Sequence, residues 1–146
     1  MHVFAPGKLF LMGEYAVLDG GDAIVAAVNH GVCCHIRPGQ GRETPTGDTR
    51  FVDAALSAIA APPRHYQFGI WNPVDCPHKV GLGGSAAACV AAIAAGRLAQ
   101  DQTMTHDDLD TAIRVHQNVQ GSGSGRDVMA SYYGGVHRYT HTASKR

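Results

Sequence analysis

The chain has 146 residues, enough for one ordinary domain with a buried core. Its 12 Lys plus Arg balance 12 Asp plus Glu, for a formal net charge of zero and an isoelectric point near 7.1. That balance, without a basic run, argues against nucleic acid as a partner, and no stretch approaches the roughly 20 apolar residues that cross a bilayer.

Phe4 to Met12 begins extended, is broken at Pro6-Gly7, and continues as a short buried strand through Leu9-Phe10-Leu11-Met12. The opening residues, Met1 to Lys8, lack a charged segment followed by an apolar one, so no signal peptide is expected. Asp19-Gly20-Gly21-Asp22 reads as a turn. Ala23 to Val28 and Val32 to Ile36 read as two strands joined at Asn29-His30-Gly31. Arg37 to Asp48, with Pro38, Gly39, Gly41, Pro45 and Gly47, reads as a surface loop, followed by a short helix over Phe51 to Ala60 that Pro62-Pro63 ends. His65 to Trp71 alternates like a strand.

The second half is helical. Ser85 to Gln100 is alanine-rich and suits a buried helix, and Thr105 to Val119 forms another. Thr105 is its N-cap, with Asp107 and Asp108 set against the helix dipole. Val128 to Tyr133 reads as one or two helical turns closed by Gly134-Gly135, and Val136 to Thr140 returns as a strand before a frayed Thr142 to Arg146. Strands first and helices later predict an α/β (α+β) two-layer sandwich, a single domain over residues 1–146.

Cys33, Cys34, Cys76 and Cys89 have no C-x-x-C spacing, and adjacent Cys33 and Cys34 face opposite sides of a strand. They read as structural thiols of a reducing cytoplasm. The 9 histidines are scattered; His137 and His141 are four apart but lie in a strand-like tail, so no metal cluster is expected.

Three segments carry chemistry. Lys79-Val80-Gly81-Leu82-Gly83-Gly84-Ser85-Ala86-Ala87-Ala88 turns tightly into a helix N-terminus, where backbone N–H groups and the helix dipole make an anion cradle. Ser85 could cap that helix, or reach a phosphate oxygen or Mg²⁺, and Lys79 could offset phosphate charge. The lysine precedes the glycines, unlike the G-x-x-x-x-G-K-[ST] loop; an ordinary glycine turn before an alanine helix is the alternative. In Ala5 to Leu18, Lys8 and Glu14 punctuate an apolar strand and each requires a partner or a use. In Gln120 to Ser131, Gly121-Ser122-Gly123-Ser124-Gly125 has linker composition, and Asp127 reads either as a helix cap or as a general base. Arg126 could clamp an anionic substrate.

In this order the three segments resemble the GHMP kinases, the family of galacto-, homoserine, mevalonate and phosphomevalonate kinases. Pro6-Gly7-Lys8 through Gly13-Glu14 matches the family's P-G-K-x-x-L-x-G-E element, and Gly81 to Ala87 matches its G-L-G-S-S-A-A loop with glycine for the first serine. Tyr15, Lys79 and Gly123-Ser124-Gly125-Arg126-Asp127-Val128 resemble the phosphomevalonate kinase branch, and His116 stands near where mevalonate kinases place a metal-binding Glu.

The resemblance implies the family's N-terminal fold (ribosomal protein S5 domain 2-like), ATP and Mg²⁺ as cofactors, and phosphomevalonate or a related alcohol as the small-molecule substrate. Lys79, Gly81, Leu82, Gly83, Gly84, Ser85, Ala86 and Ala87 would bind ATP, with Ser85 also a Mg²⁺ ligand. Asp127 and Lys8 would be catalytic, and Lys8, Glu14, Tyr15, Ser122 and Arg126 would line the acceptor. Asp127 would orient or deprotonate the acceptor hydroxyl and Lys8 would stabilise its developing charge, in a reaction governed by positioning and charge neutralisation. The family's C-terminal ferredoxin-like domain and its third glycine-rich motif have no counterpart here. A fragment, a split enzyme with a separate second half, and a non-catalytic remnant are therefore the expectations, with an uncovered apolar face favouring self-association.

Overall fold

The computed structural model describes residues 1–72 and 81–140. Its elements run β1 (His2–Met12), a 3-10 turn (Ala16–Asp19), β2 (Ala23–Arg37), β3 (Gly41–Glu43), α1 (Arg50–Ala58), β4 (His65–Trp71), α2 (Gly84–Leu98), α3 (His106–Gln120), α4 (Arg126–Tyr133) and β5 (Val136–Tyr139). The two-layer expectation holds: one five-stranded sheet lies against four helices.

β2 is the spine of that sheet. Its 15 residues, rich in Val and Ile, run unbroken where two strands were expected. The turn-like Asn29-His30-Gly31 serves as an irregularity in the ladder instead of a reversal. Pro6 faces Gly31 and Gly7 faces Val28, so Asn29 and His30 bulge out while β1 continues through Pro6-Gly7 without a break. Gly31 is needed there, because a Cβ would collide with Ala5 and Pro6 backbone. β1 pairs along one side of β2; on the other side β4 pairs with Gly31–Arg37 and β5 with Ala23–Ala26.

Two further expectations are corrected. The Arg37 to Asp48 loop contains β3, paired in parallel with β4 and anchored by Arg42 to Asp53 at 2.8 Å and Glu43 to His65 at 3.1 Å. Side-chain pairing, which turn composition does not reveal, recruits these three residues. The Leu9 to Met12 segment is a strand but not a buried one: Leu9, Leu11 and Met12 are exposed, as are Ile70 and Trp71 on β4. An edge strand has a neighbour on one side only, and the helices cover a single face of the sheet.

The core forms where α2 lies on β1 and β2. Ala86, Ala87, Ala91, Ala92 and Ala95 are fully buried, and their small side chains let the helix approach the sheet closely. Gly96 brings α1 equally close; a Cβ there would stand 2.6 Å from Ile59 Cδ1. Burying Leu56, Ile93 and Tyr66 contributes about 2 kcal/mol each. At the start of α3 the expected Thr105 cap is a full capping box with Asp108, whose buried carboxylate also takes the Arg97 guanidinium at 2.7 Å. No helix of the described residues is long and apolar enough to cross a membrane.

Candidate functional site

The outer edge of β1 is where the glycine loop and α4 attach. Lys8 N–H donates to the Leu82 carbonyl at 2.9 Å, and the Ser131 hydroxyl on α4 donates to the Pro6 carbonyl at 2.6 Å. Gly7 between them has no room for a Cβ, which would meet the Leu82 and His30 carbonyls. Three consecutive residues of β1 thus fix the loop and α4 relative to each other.

The loop enters α2 one residue earlier than expected. Gly83, left-handed at φ 74°, is the N-cap, and the helix starts at Gly84. Ser85 is therefore not the cap. The first helical bond is Ala87 N–H to Gly83 O at 3.1 Å, which leaves the N–H groups of Gly84, Ser85 and Ala86 without intrahelical partners at the positive end of a 15-residue helix. A Cβ at Gly81 or Gly84 would meet nothing within 4 Å. Those two glycines relieve no internal clash, and the space beside the backbone donors is open. Gly83 is different, since a Cβ there would stand 2.7 Å from Lys8 Cγ. Lys79 lies outside the described residues.

Lys8 and Glu14, which each required a partner, face each other at 3.6 Å, with the Lys8 side chain 14% exposed. The Lys8 ammonium also sits 4.6 Å from the centre of the Phe10 ring. Tyr15 is 79% exposed at the start of the 3-10 turn.

Asp127 enters from α4. The segment before it is pinned: Gln117 Nε2 donates to the Gly123 carbonyl at 2.9 Å, and left-handed Gly125 is the N-cap, fitting against Ile113. Asp127 is thus inside the helix rather than its cap, and its Oδ1 accepts the Val128 N–H at 2.9 Å. Its Oδ2 stands 3.7 Å from Nε2 of His116, a fully buried residue of α3. The same Nε2 is 3.0 Å from Ser85 Oγ. One imidazole nitrogen therefore joins the glycine-loop helix to the Asp127 carboxylate. Burial pushes the His116 pKa down, Asp127 opposes this, and Lys8 adds to it, so the ring is neutral near pH 7. Beneath the cluster, burial and the Asp127 charge push the Cys89 thiol up to about 12.

Lys8, Ser85 and Asp127, far apart in the sequence, are thus brought to one place. His116 completes the group, and its role was not anticipated from the sequence. The signal was available: Leu109, Ala112 and His116 fall on the buried stripe of α3, where an imidazole is a buried polar group that needs a partner. Ser122 stays exposed on the loop before α4. Arg126 turns to β5, with its guanidinium 4.8 Å from the Tyr139 ring centre and its Nε buried without a partner. Among the described residues it has no carboxylate partner.

No group of three or more His, Cys, Asp or Glu among the described residues could hold a metal ion. Mg²⁺ favours oxygen ligands, commonly one or two carboxylates with phosphates and water. Among the described residues the cluster offers the Asp127 carboxylate, Glu14 is held by Lys8, and Ser85 Oγ faces an imidazole nitrogen, so these residues by themselves do not make a Mg²⁺ site.

A family profile described as the GHMP kinases N terminal domain matches residues 51–135. The phosphomevalonate kinase of Saccharolobus solfataricus is 27% identical over 92% of this chain and 47% of its own length. The mevalonate kinase of Archaeoglobus fulgidus is 30% identical over 90% of this chain and 50% of its own length. Among solved structures, the Methanococcus jannaschii mevalonate kinase superposes with a TM-score of 0.78 at 20% identity, covering 97% of this chain and 53% of that one. The chain spans about half the length of the curated relatives it matches.

Proposed function

The chain belongs to the GHMP kinases through their N-terminal domain, and from that premise we propose that it binds the ATP phosphates along Gly81 to Ala87 and serves phosphoryl transfer to (R)-5-phosphomevalonate. The observation that carries this is the convergence of Lys8, Ser85, His116 and Asp127, from β1, α2, α3 and α4, at the N-terminus of α2, where the Lys8 stem lies against Gly83. In the proposed reaction the three unpaired N–H groups of Gly84, Ser85 and Ala86 take phosphate oxygens. Asp127, held by Val128, orients the acceptor hydroxyl and accepts its proton, and the Lys8 ammonium offsets charge on the attacking oxygen.

A phosphorylated acceptor is supported by Arg126, a cation on the same helix as Asp127 with no carboxylate partner among the described residues, and by the Gly13-Glu14-Tyr15 and Gly123 to Val128 segments. Mevalonate itself is the second candidate, favoured by the 30% identity to an archaeal mevalonate kinase.

The test is ADP release from MgATP with (R)-5-phosphomevalonate, with (R)-mevalonate and without acceptor, for wild type, Asp127→Ala and Lys8→Met. Phosphomevalonate-dependent turnover that falls about a hundredfold or more in each variant is expected. Preferred turnover of mevalonate would move the substrate. ATP binding without any acceptor-dependent turnover would make this chain a nucleotide-binding module.

A further inference from the structure

The two nitrogens of His116 have opposite surroundings. Nε2 faces Ser85 Oγ at 3.0 Å and the Asp127 carboxylate at 3.7 Å, whereas Nδ1 is buried without a hydrogen-bond partner. A neutral ring carries one proton and has two places to put it. With the proton on Nδ1, a buried donor goes unpaired and the bare Nε2 lone pair faces a carboxylate. With the proton on Nε2, it is donated to Ser85 Oγ and points toward negative charge, and the orphan is an acceptor, the less costly one to leave unmade. Both comparisons select the same tautomer.

Ser85 has one hydrogen, and this tautomer frees it. A hydroxyl whose oxygen already accepts from His116 keeps its own O–H to donate elsewhere. Ser85 is the second residue of α2, beside the unpaired N–H groups of Gly84 and Ala86. The alternative tautomer would draw the Ser85 hydrogen inward to Nε2 and present only oxygen lone pairs, which suits a cation.

We propose that His116 is a positioning residue that donates Nε2–H to Ser85, leaving the Ser85 O–H free to donate to an anionic phosphate oxygen. The destination of that hydrogen rests on the ATP reading above; the tautomer does not. Asp127 has a second part in the arrangement, since its charge holds the proton on Nε2.

The test begins with nitrogen NMR on the uniformly ¹⁵N-labelled chain near pH 7.5, with the His116 ring assigned by its loss in His116→Gln. A protonated Nε2 and a bare Nδ1 are expected; a protonated Nδ1, or a doubly protonated ring, overturns the inference whatever the ligand. ATP affinity is then measured by calorimetry, with and without Mg²⁺. His116→Phe, which keeps the ring volume and removes the donor, should bind ATP about tenfold more weakly in both conditions, because the Ser85 hydroxyl is no longer oriented to donate to the charged oxygen. His116→Gln, whose amide places an N–H near the Nε2 position, should recover most of that affinity. A Phe variant that loses affinity only when Mg²⁺ is present would make Ser85 a metal ligand and overturn the proposal. If the expected tautomer is found but wild type binds no ATP, the kinase reading fails, and with it the phosphate destination of the Ser85 hydrogen.

Discussion

Replacing Gly83 by alanine should damage both the stability of this domain and the placement of Lys8. Gly83 sits at φ 74°, where an alanine is strained by about 1 kcal/mol. The new Cβ would also stand 2.7 Å from Lys8 Cγ, closer than carbon atoms pack. The lysine stem can shift, so this overlap adds about 1 kcal/mol rather than the full cost of a rigid clash. The sum of about 2 kcal/mol lowers Tm by roughly 6 °C for a domain of this size. The matched control is Gly84→Ala, one residue on, where the Cβ meets nothing within 4 Å. It should melt at or slightly above wild type, because alanine is the better helix former, yet bind ATP more weakly by crowding the backbone donors. Thermal melts followed by circular dichroism, paired with calorimetric ATP titrations, separate the two effects. If Gly83→Ala melts with wild type, or Gly84→Ala melts as low as Gly83→Ala, the account of the loop is wrong.

Three other outcomes follow from the packing. Asp108→Asn should lower stability by about 3 kcal/mol in denaturant titrations, because it removes the charge from a buried carboxylate that serves Arg97 and caps α3; a change under 1 kcal/mol would contradict this. His116 has a folded pKa below its ordinary 6.5, chiefly through burial, so the unfolded chain takes up a proton that the native one resists. Its contribution is complete above about pH 6.5 and declines below it, so Tm should fall from pH 7.5 to 5.5 and fall less in His116→Gln; an equal slope in the two proteins would exclude this origin. Cys34 and Cys89, both pushed up to about 12 chiefly by burial, should resist iodoacetamide at pH 8 in the folded protein and react once it is unfolded, as mass spectrometry would show.

What could be read from the sequence was what the chain decides locally. The alanine-rich α2, the Thr105 cap, the short α4 closed by Gly134 and the alternating β4 all depend on neighbours within a few residues, and all four were anticipated within two residues of their bounds. The errors occurred where distant partners decide. Asn29-His30-Gly31 has turn composition, but pairing of β2 with β1 on one side and with β4 and β5 on the other keeps it extended. Leu9 and Leu11 look like core residues, yet an edge position exposes them. The glycine loop and the residues Lys8 and Asp127 were legible as chemistry through their order along the chain. That His116 joins Ser85 to Asp127 was not, because three helices must pack before one nitrogen can face both groups.

The tandem arrangement of β4 and β5 along β2 sets a timetable for biosynthesis. Ser131 closes onto Pro6 across 125 residues and Arg138 onto Asp22 across 116. At roughly 5–20 residues per second, the first strand therefore waits several seconds or more on the ribosome for the segments that complete its surroundings. Until then the Ala23–Ala26 stretch of β2 has one unpaired side, open to other chains as readily as to its own.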